Sequence, residues 1–233
     1  MVMTFLHISL GWSRCRSNRL SCERRDVSEA GSARVSECKA DLHRVLTGLG
    51  RGMSRALTDA EEDRVEDVVG ELEEMWAKWV IDGRPAAESS IFEGELARTW
   101  NGLWRLDFTS SSTTRFAKGF SGIHAFVPKG RSEELTQQID LDFMELRMKE
   151  VVSFLGGSRL EVRARGSLSR KTQRMFTWDP ETWEFGVMKN AASGNRTIRS
   201  FCVGEVTFLD SDLRIDRGTT DQLYIWSRIN PEA

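Results

Sequence analysis

The chain has 233 residues, 39% of them hydrophobic and 29% charged, with 33 Lys and Arg against 35 Asp and Glu for a net charge of -2. That length can bury an ordinary core, and no apolar run reaches the roughly 18 residues a membrane-crossing helix needs. The charge divides unevenly, +5 over residues 1–55, -7 from Asp59 to Lys78 and 21 of each sign in the rest, and a neutral body argues against nucleic acid, whose binders carry excess positive charge on the folded domain.

Residues 1–22 hold Arg14, Arg16 and Arg19, several serines and no acid, the composition of an organelle transit peptide. The apolar start, Met1 to Leu10, is broken by Thr4, His7 and Ser9 and makes a poor secretory signal. Acids appear from Glu23 onward, so composition allows cleavage anywhere from about residue 22 to 52, and residues 1–52 are read as a transit peptide or disordered leader. Cys15, Cys22 and Cys38 fall in that leader and leave Cys202 alone in the body. No CxxC and no Cys/His spacing suits zinc, and nothing suggests a disulfide scaffold. Gly48-Leu49-Gly50-Arg51-Gly52 lacks the preceding strand and the Gly-Lys-Ser/Thr ending of a phosphate loop.

From Thr58 to about Ile81 the spacing predicts a helix. Thr58 and Glu61 form a capping box, and Asp59, Glu61 and Glu62 suit the positive end of its dipole. Val65, Val68, Val69, Leu72, Met75, Trp76 and Trp79 make the apolar stripe, and Asp82-Gly83-Arg84-Pro85 ends it. Its acidic polar face disfavours an anionic membrane surface, so Trp76 and Trp79 are expected to pack across the body or against a partner.

A short helix over Ile91 to about Trp100 leads into a strand in which Trp104, Leu106 and Phe108 alternate with Arg105, Asp107 and Thr109. Gly102 leaves room there for a close crossing. Ser110 to Thr114 is read as a loop, and Lys118 to Gly130, punctuated by Gly119, Gly122 and Pro128, as a mobile mouth loop. Leu135 to Leu155 changes phase at Met144, which suggests two strands or a bulge, with a helix as the rival. Strands follow after Gly156-Gly157 at Leu160–Leu168, Thr172–Trp178, Trp183–Met188, Ile198–Leu209, Leu213–Ile215 and Leu223–Ser227. Turns are expected at Asp179-Pro180-Glu181, Ser193-Gly194-Asn195, Asp210-Ser211-Asp212 and Gly218 to Asp221. Consecutive hairpins without intervening helices predict a mainly β chain, an antiparallel up-and-down barrel over about 101–228 behind an amphipathic α-helix.

Gly102-Leu103-Trp104-Arg105-Leu106 followed by Phe108-Thr109-Ser110-Ser111 resembles the G-x-W-x-L-x-Y-T-S opening of the plastid lipid-associated protein (fibrillin) family. Phe208-Leu209-Asp210-Ser211-Asp212-Leu213-Arg214-Ile215-Asp216-Arg217-Gly218, with Leu223-Tyr224-Ile225, is similar to that family's closing turn and last strand. The resemblance spans about residues 55 to 228, with Phe108 in place of the usual Tyr. It implies a lipocalin-like barrel in a fibrillin-like domain over 53–233. It also implies a chloroplast location at plastoglobules or thylakoids and the binding or organising of prenyl-lipids such as quinones and carotenoids.

With Trp104 facing inward, period-two parity brings Leu106, Phe108, Val162, Ala164, Phe185, Val187, Val206, Phe208, Leu223 and Ile225 to one uncharged lining. That lining is either a packed core or a ligand cavity. Asp212, Arg214 and Arg217 are expected to tie the last turn to the barrel end. Arg214 or Arg217 would cross the face of Trp104 beside Gly102, a contact worth about 1 kcal/mol or more when desolvated. Arg163, Arg165, Arg170, Lys171 and Arg174 form either a solvated face or a docking patch for anionic lipid head groups. A quinone already dissolved in lipid gains little from burial, so affinity requires a polar hook, for which His124, Ser110–Thr114 and Thr197 are available. No cofactor or metal is implied, and no nucleophile motif accompanies His124. Two alternatives are a small lipid isomerase or cyclase using His124 as acid/base, and an assembly subunit whose acidic helix docks a prenyl-lipid biosynthetic enzyme.

Overall fold

Alternation of apolar and polar side chains over residues 102–109 is realised as a strand whose neighbours wrap until the sheet meets itself. The computed structural model of the chain describes residues 13–49, 57–81, 83–117, 119–122, 131–154, 158–186, 188–191 and 201–229. Ahead of the barrel come α1 (Ser13–Gly48), α2 (Asp59–Ala77), a two-stranded hairpin of β1 (Val80–Ile81) and β2 (Arg84–Pro85), and α3 (Gly94–Trp100). Then follow β3 (Gly102–Thr109), α4 (Ser112–Ala117), β4 (Arg131–Asp140), β5 (Glu145–Ser153), β6 (Arg159–Arg170) and β7 (Met175–Phe185). The chain continues through β8 (Met188–Ala191), β9 (Val203–Leu209), β10 (Leu213–Gly218) and β11 (Leu223–Arg228). The sheet runs β6-β5-β4-β3-β11-β10-β9-β7 and returns to β6, which closes an eight-stranded antiparallel up-and-down barrel consistent with a lipocalin-like fold. Within the barrel each strand pairs with the barrel strand that follows it in sequence, as an up-and-down order requires.

Several local expectations are corrected. Ser112 to Thr114, read as part of a loop, instead open the short helix α4. Over Leu135 to Leu155, by contrast, the expected two strands do form, as β4 and β5, joined through a turn in which Met144 adopts φ 49°. The turn expected at Asp179-Pro180-Glu181 is a bulge inside the continuous strand β7: Gly166 pairs with Pro180 and Arg165 with Thr182, leaving Glu181 as the extra residue. Gly166 permits this crossing, because a Cβ there would lie 2.0 Å from the Asp179 carbonyl oxygen. Gly166→Ala is therefore expected to cost about 1–3 kcal/mol by displacing backbone, read from the urea midpoint; an unchanged midpoint would show that the bulge yields freely.

Bulges also decide which side chains enter the barrel. Between β3 and β11, Leu106 pairs with Trp226 and Phe108 with Ile225, so Asp107 is extra. Between β9 and β10, Val206 pairs with Asp216 and Phe208 with Ile215, so Thr207 is extra. Inward phase is kept by Trp104, Leu106, Val206, Tyr224 and Trp226. The row Phe208, Ile215, Ile225, Phe108 turns outward beneath the helices, where Trp79 meets Phe208 at 6.0 Å. Leu223 pairs with Arg217, which bonds Glu66 and Glu73 of α2, and so faces outward as well. Phe108, Phe208, Leu223 and Ile225, expected in the lining, instead form the seat of α1 and α2.

Helix α2 starts where the capping box places it, with the Thr58 backbone N–H donating to the Glu61 carboxylate at 2.9 Å. Val65, Val69, Leu72 and Trp76 are fully buried against the barrel, and the Trp76 indole donates to the Leu209 carbonyl at 2.9 Å. The leader expectation needs revision. Val35, Cys38, Leu42, Val45 and Leu46 recur at helical spacing on α1 and are buried with Leu49, and Lys39 bonds both Asp210 and Asp212 on the β9–β10 turn. Residues 31–49 are thus part of the folded unit. Residues 1–12 and 50–56 lie outside the described residues.

Candidate ligand site in the barrel

The closed end of the barrel is built from tryptophan and arginine. Trp100 of α3 is buried between Phe92 (5.3 Å, edge-on) and Phe176 (5.2 Å), and its carbonyl accepts from the Trp104 indole at 2.9 Å. Arg228 lies 4.3 Å from the Trp104 ring and donates to the carbonyls of Thr99, Asn101 and Ser211. A Cβ at Gly102, whose φ is 134°, would meet the Arg228 guanidinium at 2.6 Å. Gly102 therefore makes the expected crossing possible, but the residue that uses it is Arg228, which the sequence did not single out. Of the expected closing residues, Arg214 does face Trp104 at 5.2 Å, and it also covers Trp226 at 4.6 Å. Arg217 leaves the barrel for Glu66 and Glu73 of α2, and Asp212 sits on the outer turn bonded to Lys39.

Inside, the lining is not free of charge. Arg214 is completely buried, 3.0 Å from Asp216, and donates to the Gln137 side chain across the barrel. Glu150 is buried nearer the other end and accepts from the Ser121 backbone N–H at 2.9 Å. Burial raises the Asp216 carboxyl to about 6 against the pull of Arg214, and burial lowers Arg214. Nε and Nη1 of Arg214 and Oδ1 of Asp216 have no hydrogen-bond partner among the described residues.

Raised above its unfolded value of about 3.9, Asp216 contributes stability that is complete below about pH 4 and is lost as pH rises through 6. The contribution amounts to about 3 kcal/mol at most. Asp216→Asn, which does not titrate, is expected to flatten that part of the pH–stability curve in urea unfolding. An identical slope in both proteins would place the proton elsewhere.

The opposite end of the wall is split. β9 pairs with β7 over Met175–Thr177, whereas Thr182–Phe185 pairs with β8. Trp183 and Phe185, inward by their register with Ala164 and Val162, are half-buried there, while Val162 and Ala164 below them are buried. Apolar surface is accordingly accessible where the wall parts. Of the expected lining, Trp104, Leu106, Val162, Ala164, Phe185 and Val206 face inward. Val187 lies outside the described residues, as do the candidate hooks His124 and Thr197, the turn at 193–195 and most of the expected mouth loop. Ser111 and Thr114 are buried at the start of α4 and bonded to each other. Arg214 was expected to tie down the last turn; it is also the polar group inside the barrel, a role invisible until closure brought β4 and β10 together.

The proposed docking cations do not form one patch. Arg163 and Arg165 stand on the outer face of β6, while Arg170 and Arg174 flank the β6–β7 turn bonded to Glu93 and Glu205, with Lys171 exposed between them. Several acids of α2 are also engaged: Glu62 with Arg115, Glu66 and Glu73 with Arg217, and Glu71 with Arg34. Among the described residues no cluster of three or more His, Cys, Asp or Glu could hold a metal, and no helix is long and apolar enough to cross a membrane. Compared with known proteins, the chain matches no family model and no curated protein.

Proposed function

We propose that this protein is a non-catalytic, lipocalin-like lipid binder of the plastid lipid-associated (fibrillin) type. In this reading it takes a prenyl-lipid into its barrel at a plastoglobule or thylakoid surface in the chloroplast. The two segments that resemble that family supply Trp104 and Arg214, which meet at the closed end of the barrel. The observation that carries the reading is the fully buried Arg214, two of whose nitrogen donors have no partner among the described residues, inside a largely apolar barrel. Buried donors require acceptors, and a hydrogen bond to a charged group contributes about 1.5–3 kcal/mol. That is the polar hook a lipid-dissolved ligand needs. It favours a prenyl-quinone, whose ring carbonyl accepts, over a carotenoid hydrocarbon. Asp59, Asp63, Asp67 and Glu74 stay exposed on α2 for any protein partner.

Mass spectrometry of lipid extracted from the full chain, purified from a plastid-containing host, tests this directly. A prenyl-quinone should co-purify, and a short-chain quinone should quench tryptophan fluorescence saturably, since Trp104 and Trp226 flank Arg214. A lipid-free protein with quenching that never saturates would refute it.

A further inference from the structure

We infer that the outer face of β4 to β7 carries a phosphate-binding groove, separate from the barrel interior and independent of what the barrel holds. Two outward rows run side by side across these strands: Gln138, Arg147, Arg165 and Thr182, then Thr136, Lys149, Arg163 and Glu184. Between them lies a depression of about 450 Å³ lined by these residues and Leu103. Directly opposed like charges weaken a strand pair, and here two such pairs, Arg147 with Arg165 and Lys149 with Arg163, are neighbours.

The acids nearby cancel only part of this charge. Glu145 gives one oxygen to Arg147 and the other to Arg165. Burial opposes its ionisation, yet the two arginines hold its carboxyl below the usual range. Arg163 leans on Glu161 at the edge, and Glu184 is taken by Lys189 at 3.2 Å. Lys149 has no carboxylate partner among the described residues, and it stands beside the buried Thr136. An ammonium, three guanidinium groups, two hydroxyls and an amide, with the one lining carboxylate, Glu184, held by Lys189, surround a concavity that matches a tetrahedral oxyanion accepting from several directions. The volume exceeds a bare phosphate and suits a phosphate ester, borne either by a lipid head group or by a small soluble molecule.

The test uses the full chain with two probes, glycerol 3-phosphate by calorimetry and phosphatidylglycerol vesicles by flotation, with phosphatidylcholine vesicles as the neutral reference. Binding of at least one probe is expected, weakened tenfold or more by Lys149→Gln and less than twofold by Arg170→Gln, with circular dichroism verifying that both variants fold. Vesicle binding alone identifies a head group, and glycerol 3-phosphate binding identifies a soluble ester. Absence of binding to either probe, or equal loss from the two variants, overturns the groove. Neither result depends on whether quinone enters the barrel.

Discussion

Asp216→Ala is expected to lower stability by about 3–5 kcal/mol, because it strands the Arg214 charge in the barrel with its counter-ion removed. For a chain of this size that corresponds to a fall in Tm of roughly 6–20 °C, taking about 2–4 °C per kcal/mol. The surroundings offer Arg214 little relief: Gln137 accepts one hydrogen bond, and the rings of Trp104 and Trp226 flank the guanidinium. Removing both charges has a different consequence. Arg214→Met with Asp216→Leu deletes the desolvation cost along with the attraction, so the double variant should recover most of the loss. Urea unfolding of the two single variants and the double gives the coupling directly. A single variant losing less than about 1 kcal/mol would mean that water reaches the pair.

The second large effect concerns α1. Deleting residues 1–52 should destabilise the barrel and expose its seat, well beyond any effect of deleting residues 1–30. The second cut removes Val35, Leu42, Leu46 and the Lys39 bridge to Asp210 and Asp212. It uncovers the part of that seat beside α1, around Trp79, Leu213 and Ile225, apolar surface of the kind that drives association. Leu42→Ala is the single-residue counterpart. Leu42 is buried, and such truncations cost about 2–5 kcal/mol. Thermal unfolding with light scattering separates the cases; equal behaviour of the two deletions would show that α1 does not hold the barrel. Any processing that leaves the fold intact must then fall before residue 31.

Short-range signals read well wherever the energy is local. The Thr58–Glu61 box starts α2 because both partners lie within one turn, and the stripe from Val65 to Trp76 follows from helical spacing alone. Alternation announced β3 and β6 for the same reason. It failed at Asp179-Pro180-Glu181, where turn-forming residues serve a bulge that only the partner strand β6 reveals. Residues 31–49 misled because no boundary separates them from the basic, acid-free stretch 1–22: they read as leader until Val35, Leu42 and Leu46 meet α2 and the barrel.

By itself, then, the sequence determined an antiparallel up-and-down barrel behind an amphipathic helix, and a Trp–Arg closing device. The barrel and the helix rest on periodicities and caps a few residues long, the closing device on a resemblance to lipocalin-like barrels. Tertiary structure alone decided which faces turn inward, because one extra residue at Asp107 or Thr207 reverses a strand's phase and can be counted only against its neighbour. It also decided that Arg214 and Asp216, in and just after a short strand expected only to tie down the last turn, lie inside the barrel, and that Arg228 fills the gap Gly102 leaves. Their partners, Gln137, Trp104 and Trp226, come from β4, β3 and β11, and meet them only once the sheet has closed.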